Sequence, residues 1–571
     1  MTMRMAIGLA CASAVLFVST AVAQVGATRD EVLRLPAPLR ASASDFGATE
    51  CAADPVIGLL PGEASLGDMT ALEIEGVTAF EPAVIERLSA SLLGAPVSQA
   101  GLARLIAAVE CSYRARGYVF ARATVDVPAG VGPGVFRLLV REGVVSRVEA
   151  MAEDEALARL ALRAFGPVRE GRPLQAGDVR RGLAQAAAVG LTDVRPTIRR
   201  SRLDPAQLDL VLIVTASPSQ FFNQAANANS ESLGRWGVLG GGRWSGLTDL
   251  EEVTTLGAYA SGDFREQASL QFDTQALISE RGLVARVGGA FARARPGGVL
   301  EPLEIESRTF FGVAELSMPI TVSRGRVSYG RMGLEYLDQE TDFFGDLPLS
   351  EDRLRVLYLG LRTDGLARSG VWSLDVQWRR GLPVMGASRA GDFALSRFNA
   401  NPQASLLRFA GEYAWQLPKS FSARATLNGQ WTDKSLTSFE QLSFGGLTGG
   451  VGFDPGALSG DRGAALSVQV FAPQQTFSEQ LVWRPYVQLA AARLRTVDDQ
   501  IGFFDAEGYS AAAGVQMNIG GRWQVEALWA EPFGGIRGVG PDAYESRVII
   551  KLAASFQGKR RDILTQAEGG R

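Results

Sequence analysis

Phe421-Ser422-Ala423-Arg424-Ala425-Thr426-Leu427-Asn428-Gly429-Gln430-Trp431 decides the fold. Phe421, Ala423, Ala425, Leu427 and Trp431 fall on one side of an extended chain. Ser422, Arg424, Thr426, Asn428 and Gln430 fall on the other. A period of two belongs to a strand. A length of about ten residues with an aromatic near the end is what a tilted strand needs to cross a bilayer. One such strand alone fits a half-buried strand of a soluble sheet better, so the decision rests on repetition.

The pattern does repeat. Trp372, Leu374, Val376 and Trp378 oppose Ser373, Asp375, Gln377 and Arg379. Ala268, Leu270 and Phe272 oppose Gln267, Ser269, Gln271 and Asp273. Trp523, Val525, Ala527 and Trp529 oppose Arg522, Gln524 and Glu526. Within 218–557 we count about sixteen such segments, with long connections on one side and short ones on the other. In lipid an open sheet edge has no partner for its backbone, so the strands must close. The expected fold is a transmembrane β-barrel of about 16 antiparallel strands, whose lumen is wide enough to be aqueous.

The rest of the chain divides around the barrel. Residues 1–23 read as a signal peptide, with Met3-Arg4, an apolar stretch and the A-x-A site Ala21-Val22-Ala23, so the mature chain is expected to begin at Gln24. Residues 24–68 form an N-terminal segment and linker rich in Ala, Pro and Gly, with one short helix expected around Thr28 to Arg34. Two small α+β units follow, 69–143 and 144–217, each in the order strand–helix–helix–strand–strand. Helices are expected over Pro82 to Leu93, Gln99 to Arg116, Glu153 to Ala164 and Ala176 to Val189. Residues 558–571 form a polar C-terminal tail.

Composition removes several function classes. The 571 residues include no histidine, which excludes His-based triads, imidazole metal sites and His acid–base catalysis. A net charge of −4 is no footprint for nucleic acid. No P-loop and no G-x-S-x-G at a strand–helix turn is present. The reading is therefore no enzyme, no cofactor, no metal and no catalytic residue. Cys51 and Cys111 remain after the signal peptide. In an oxidising compartment the pair fits either a disulfide or two separate thiols.

Two motifs carry a resemblance. The first is Tyr113-Arg114-Ala115-Arg116-Gly117-Tyr118, closed downstream by Glu142-Gly143. The second is Phe444-Gly445-Gly446, then Val451-Gly452-Phe453, then Gly460-Asp461-Arg462-Gly463. This arrangement resembles the two-partner secretion transporters, the haemolysin secretion/activation proteins. The resemblance implies two POTRA domains in the periplasm and a 16-stranded outer-membrane barrel. It implies a large secreted exoprotein as client, moved through the barrel without nucleotide hydrolysis, and a monomer in outer-membrane lipid. Alternatives are an outer-membrane protein assembly factor and a passive channel derived from a transporter.

The sequence departs from the family pattern at one pair. The resemblance implies an arginine at position 451, inside the barrel, paired with an aspartate on the wall at position 490. Here they are Val451 and Ala490. Losing one partner would strand a buried charge, at about 3–5 kcal/mol, whereas losing both comes close to neutral. The expectation is that the loop still tucks into the lumen, latched by packing and backbone bonds, with Gly449, Gly450 and Gly452 allowing close approach. The glutamine-rich plug helix that the resemblance implies is expected to be reduced or absent.

Overall fold

The computed structural model describes Arg29, Phe46, Leu60 and residues 63–127, 133–191, 193–345, 347–447, 449–498, 502–533 and 545–557. The first unit holds β1 (Ser65–Asp68), β2 (Ala71–Glu75), α1 (Ala83–Ser89), β3 (Pro96–Ser98), α2 (Gln99–Ala115), β4 (Arg122–Asp126) and β5 (Val135–Arg141). Its sheet order is β2-β5-β4, with β2 parallel and β4 antiparallel to β5. Ser98 caps α2 by accepting from the Gly101 N–H, and Leu105, Val109 and Tyr113, spaced by four, bury its inner face. Helix α1 is shorter than its expected span. Gly94 turns with φ +74° and donates its N–H to Met69, which pulls the chain back to β1.

The second unit repeats the plan with β6 (Val145–Met151), α3 (Glu155–Ala164), α4 (Ala176–Ala188), β7 (Val194–Arg200) and β8 (Leu208–Val214), in the order β6-β8-β7. Asp154 caps α3. The same relative strand directions recur, β6 parallel and β7 antiparallel to β8.

The barrel begins with β9 (Ser219–Ala226), β10 (Gly237–Ser245), β11 (Val253–Ser261), β12 (Gln267–Leu277), β13 (Val284–Ala294), β14 (Glu306–Ser323), β15 (Arg326–Phe343) and β16 (Leu347–Ala367). It continues with β17 (Gly370–Gly381), β18 (Ser405–Gln416) and β19 (Ser422–Trp431). A small hairpin, β20 (Leu442–Phe444) and β21 (Leu458–Gly460), comes next. Then follow β22 (Arg462–Phe471), β23 (Gln475–Ser478), β24 (Leu481–Asp498), β25 (Gly502–Ile519), β26 (Trp523–Phe533) and β27 (Arg547–Gln557). Short β23 extends β22 along β24, so sixteen strands make the wall, and β27 closes on β9. The apolar stripes read from the sequence face outward: Leu270, Phe272, Leu374, Trp378, Leu427, Trp431, Trp523 and Trp529 are all exposed. No described helix is long and apolar enough to cross a membrane.

The second unit docks on the barrel end where connections are short. Val253, Leu277 and Val284 join its core cluster. The Arg159 guanidinium lies 3.1 Å from Glu251, and the Gln185 side-chain amide donates to the Glu280 carbonyl. Helix α4 reaches the lumen rim. The Tyr329 hydroxyl donates to the Ala184 carbonyl at 3.0 Å, and Arg243 donates to the Gly190 carbonyl at 2.9 Å.

Candidate functional site: the lumen and its periplasmic units

The connection between β19 and β22 runs inward. Val451 is buried against Ala226, Tyr486, Ala512, Leu528, Ala530 and Ile549, residues of β9, β24, β25, β26 and β27. Such a set can be touched only from inside the barrel. Gly452 has φ +105°, and a Cβ there would lie 3.3 Å from Pro532 and 3.4 Å from Ala530. Phe453 and Phe444 stack tilted at 5.7 Å and pack with Leu458, Ala465, Ala490, Ala492, Leu494 and Ala506. Thus Ala490 faces the loop through the two phenylalanines, while Val451 sits in a separate apolar cluster. Gly445 has φ +137°, and a Cβ there would meet the Asp454 carbonyl at 2.0 Å. The Gly446 N–H donates to the Phe453 carbonyl, and the Gln488 amide donates to the Gly449 carbonyl.

The segment is also held by charge, which the sequence reading missed. Asp454 accepts from Arg547 of β27 at 2.5 Å and from Arg235 at 3.4 Å. The polarity is the reverse of the implied pair: the carboxylate is on the loop and the guanidinium on the wall. Expecting packing and backbone bonds alone was incomplete for that reason.

Asp461 is fully buried. It accepts from Arg397 at 2.5 Å, from the N–H groups of Leu436 and Val497 at 3.0 and 2.6 Å, and from the Gln441 amide at 3.1 Å. One carboxylate thereby joins the β17–β18 loop, both arms of the inward segment and β24. Gly460 presses on Arg495, where a Cβ would lie 2.9 Å from the backbone nitrogen. Gly463 takes φ +148° beside the Arg493 carbonyl. Arg462 opens β22 opposite Arg495.

A second cluster lines the lumen side of β15, β17 and β18. Arg379 of β17, with 1% of its side chain exposed, donates to Glu335 of β15 at 2.6 Å and to Glu440 at 2.9 Å. Arg408 donates to the Glu440 carbonyl at 3.1 Å. Arg29, whose backbone is helical, donates to Glu335 at 2.5 Å and to Glu440 at 3.2 Å. Its guanidinium lies 5.5 Å from the Phe311 ring centre. Arg29 therefore lies in the lumen, while the residues on which the expectation of a reduced or absent plug helix rests lie outside the described residues. The other residues of the expected Thr28 to Arg34 helix lie outside the described residues. Guanidinium groups this close offset the cost of burying the two carboxylates. Beside the cluster lies a cavity of about 510 Å³ lined in part by Arg243, Gln271, Asp273, Arg286, Glu315 and Gln377.

The first-unit motif forms its own buried site. Gly117, with φ +92°, ends α2: its N–H donates to the Arg114 carbonyl and the Tyr118 N–H to that of Tyr113, a Schellman closure. Tyr118 meets Tyr113 edge-on at 6.1 Å. Glu142 is buried and accepts from the Tyr113 hydroxyl at 2.7 Å, from the Thr78 and Ala79 N–H groups at 2.7 and 2.8 Å, and from the Thr78 hydroxyl. Burial, and then this carboxylate, push the Tyr113 phenol far above its ordinary range. Gly143, with φ +72°, sits against Phe120 and Leu208. The Ala176 N–H donates to the Gly117 carbonyl and that of Leu174 to Gly143, so the motif also hinges the two units. Cys111 is disulfide-bonded, while Cys51 lies outside the described residues.

A sixteen-stranded barrel with an inward-folded connection and two α+β units on its rim defines an outer-membrane protein of the POTRA–barrel class. The haemolysin secretion/activation protein ShlB/FhaC/HecB family matches residues 320–515, and the ShlB-type POTRA domain matches 68–143. Both matches are to two-partner secretion transporters, and the chain is an outer-membrane transporter resembling them, with its POTRA domains in the periplasm. The outer membrane transporter CdiB of Escherichia coli is 24% identical over 439 residues, covering 70% of this chain and 68% of CdiB. A solved structure of CdiB from Escherichia coli superposes with a TM-score of 0.74 at 19% identity, covering 94% of this chain and 98% of that one. CdiB from Acinetobacter baumannii gives 0.65 at 13% identity, covering 90% and 94%. At these identities the superpositions speak for the fold.

Proposed function

We propose that the chain exports one large secreted protein: the client is taken up unfolded by the POTRA domains and passed through the barrel to the cell surface without nucleotide. The observation that carries this is the docking of the second POTRA unit on the barrel rim, with Ala184 of α4 and Gly190 just beyond it touching the lumen residues Tyr329 and Arg243. A polypeptide held on the POTRA sheets is thereby delivered at the lumen mouth. The sheets have edge strands, β2 and β4 in one unit and β6 and β7 in the other, and an extended client can add to such an edge through main-chain bonds. Within the lumen the residues 444–463 act as the adjustable element and the charge cluster around Arg379 as its anchor.

The test is deletion of the gene in its host, with comparison of culture supernatant and cell-surface proteins. Loss of one or two large exoproteins, restored by complementation, supports export. An unchanged exoproteome with depleted outer-membrane barrels replaces this reading with assembly.

A further inference from the structure

The outward face of the barrel is not a uniform apolar band. Across β9 to β14 it carries a groove of about 590 Å³ with a floor of small residues, Gly240, Gly242 and Ala258. Phe221 and Trp244, edge-on at 5.8 Å, wall one end. The register sets its course: Gly240 lies opposite Ala258, Ala258 opposite Leu270, Leu270 opposite Phe291, and Phe291 opposite Phe310. The groove thus runs across the strands for about 24 Å, five inter-strand steps. Because barrel strands are tilted, it runs obliquely through the membrane.

The next outward-facing row beyond Phe291 and Phe310 is Arg293 opposite Arg308. Both are at the barrel end away from the POTRA units, the outer-leaflet side. Arg293, Arg295 and Arg308 converge on the single carboxylate of Glu306 at 2.7, 2.6 and 2.8 Å, while about half of each arginine side chain stays exposed. Glu340 lies opposite Arg308 and Asp342 opposite Glu306. A guanidinium has five donors, and Glu306 engages only one or two on each of the three. An outward arginine is tolerated on a lipid-facing wall only near the interface. The cluster therefore sits at headgroup level, directly above the apolar groove.

We propose that this face binds a phosphorylated, multiply acylated lipid of the outer leaflet, its phosphate on Arg293, Arg295 and Arg308 and an acyl chain in the groove. The guanidinium donors that Glu306 leaves unengaged select the headgroup, with Glu340 and Asp342 limiting how much negative charge is taken, and the small-residue floor makes room for the chain.

The test is native mass spectrometry of the full chain in detergent. The probes are a phosphorylated acylated disaccharide lipid, its dephosphorylated form and inorganic pyrophosphate. The expected result is one retained phosphorylated lipid per chain. Retention should fall about tenfold in Arg293→Gln with Arg308→Gln, as charge-assisted bonds are lost. It should also fall in Gly240→Leu, where a Cβ meets only the Asn223 side-chain oxygen, at 3.2 Å, which has to give by a few tenths of an ångström; an unchanged melting temperature of the variant checks that the barrel is intact. Arg493→Gln is the control: Arg493 also faces outward but stands on β24, away from the groove, so retention should hold. Equal retention in the arginine double variant, equal retention of the dephosphorylated lipid, or binding of pyrophosphate as tight as that of the lipid would each overturn the proposal.

Discussion

Two buried carboxylates organise this molecule, and they do so differently. Glu142 of the first POTRA unit gathers neutral donors, the Tyr113 and Thr78 hydroxyls and two backbone N–H groups, all within one small domain. Asp461 of the lumen gathers a guanidinium and backbone groups from segments far apart in the chain: Arg397, Leu436 and Val497. The first fixes a local fold. The second holds a long inward connection to the wall it crosses. A glycine-rich motif therefore does not have one meaning here. Around Glu142 its glycines turn a helix into a strand; around Asp461 they let backbone lie flat against backbone.

The contrast breaks most visibly at Asp461. Asp461→Ala should cost about 3–5 kcal/mol, since it strands Arg397 and two N–H groups. We expect faster proteolysis within residues 444–460 of the folded barrel and loss of secretion, with the POTRA units intact. Glu142→Ala should cost about 1–3 kcal/mol, the penalty for leaving buried donors unmet. Hydrogen exchange on the full chain should show it across residues 72–143 and leave the barrel strands unchanged. If either variant softened both regions equally, the two carboxylates would not be independent.

The pair Asp454 and Arg547 sharpens the comparison, being a charged latch with a more exposed carboxylate. Asp454→Arg alone should destabilise the inward segment by about 1 kcal/mol, and adding Arg547→Asp should recover most of it. A double-mutant cycle on proteolytic susceptibility reads this directly. Failure of the swap to rescue would mean that packing around Val451 is the whole latch.

The smallest effect expected is at Glu63, whose carboxyl is held down at about 2 by Arg104, with Ser98 assisting. A depressed carboxyl stabilises the fold above its unfolded value, here 4.5, and that contribution is lost as pH falls toward about 2. Arg104→Gln should therefore flatten the acid side of POTRA unfolding between those limits and leave neutral pH nearly unchanged. Both groups are solvent-accessible, so the shift should be modest and screened by salt.

The barrel was legible because one physical rule, apolar out and polar in, writes itself along every strand. It erred mainly at strand ends. Alternation marks β16 from about residue 353, yet the strand begins at Leu347, because Leu347 to Asp352 lie beyond the stretch that lipid constrains. The inward loop announced itself through glycines that need positive φ or close approach. Its ion pairs did not. Arg397 stands 64 residues from Asp461, and Arg547 stands 93 from Asp454; no local period connects such partners. The lumen cluster was equally silent, since Glu335, Arg379 and Arg408 read only as polar positions of alternating strands. Arg29 carried no signal that it would meet them.

Helix α4 and the inward segment together have a bearing on leakage. The helix crowds the rim at β10 and β15, and the segment fills the side of β24 to β27 and β9. Among the described residues a solute diffusing through the barrel thus meets two obstacles, one at the rim and one along the wall. The resting protein should conduct ions poorly for its diameter, so a cell can keep a protein-sized doorway in its outer barrier without surrendering that barrier's selectivity to small toxic molecules.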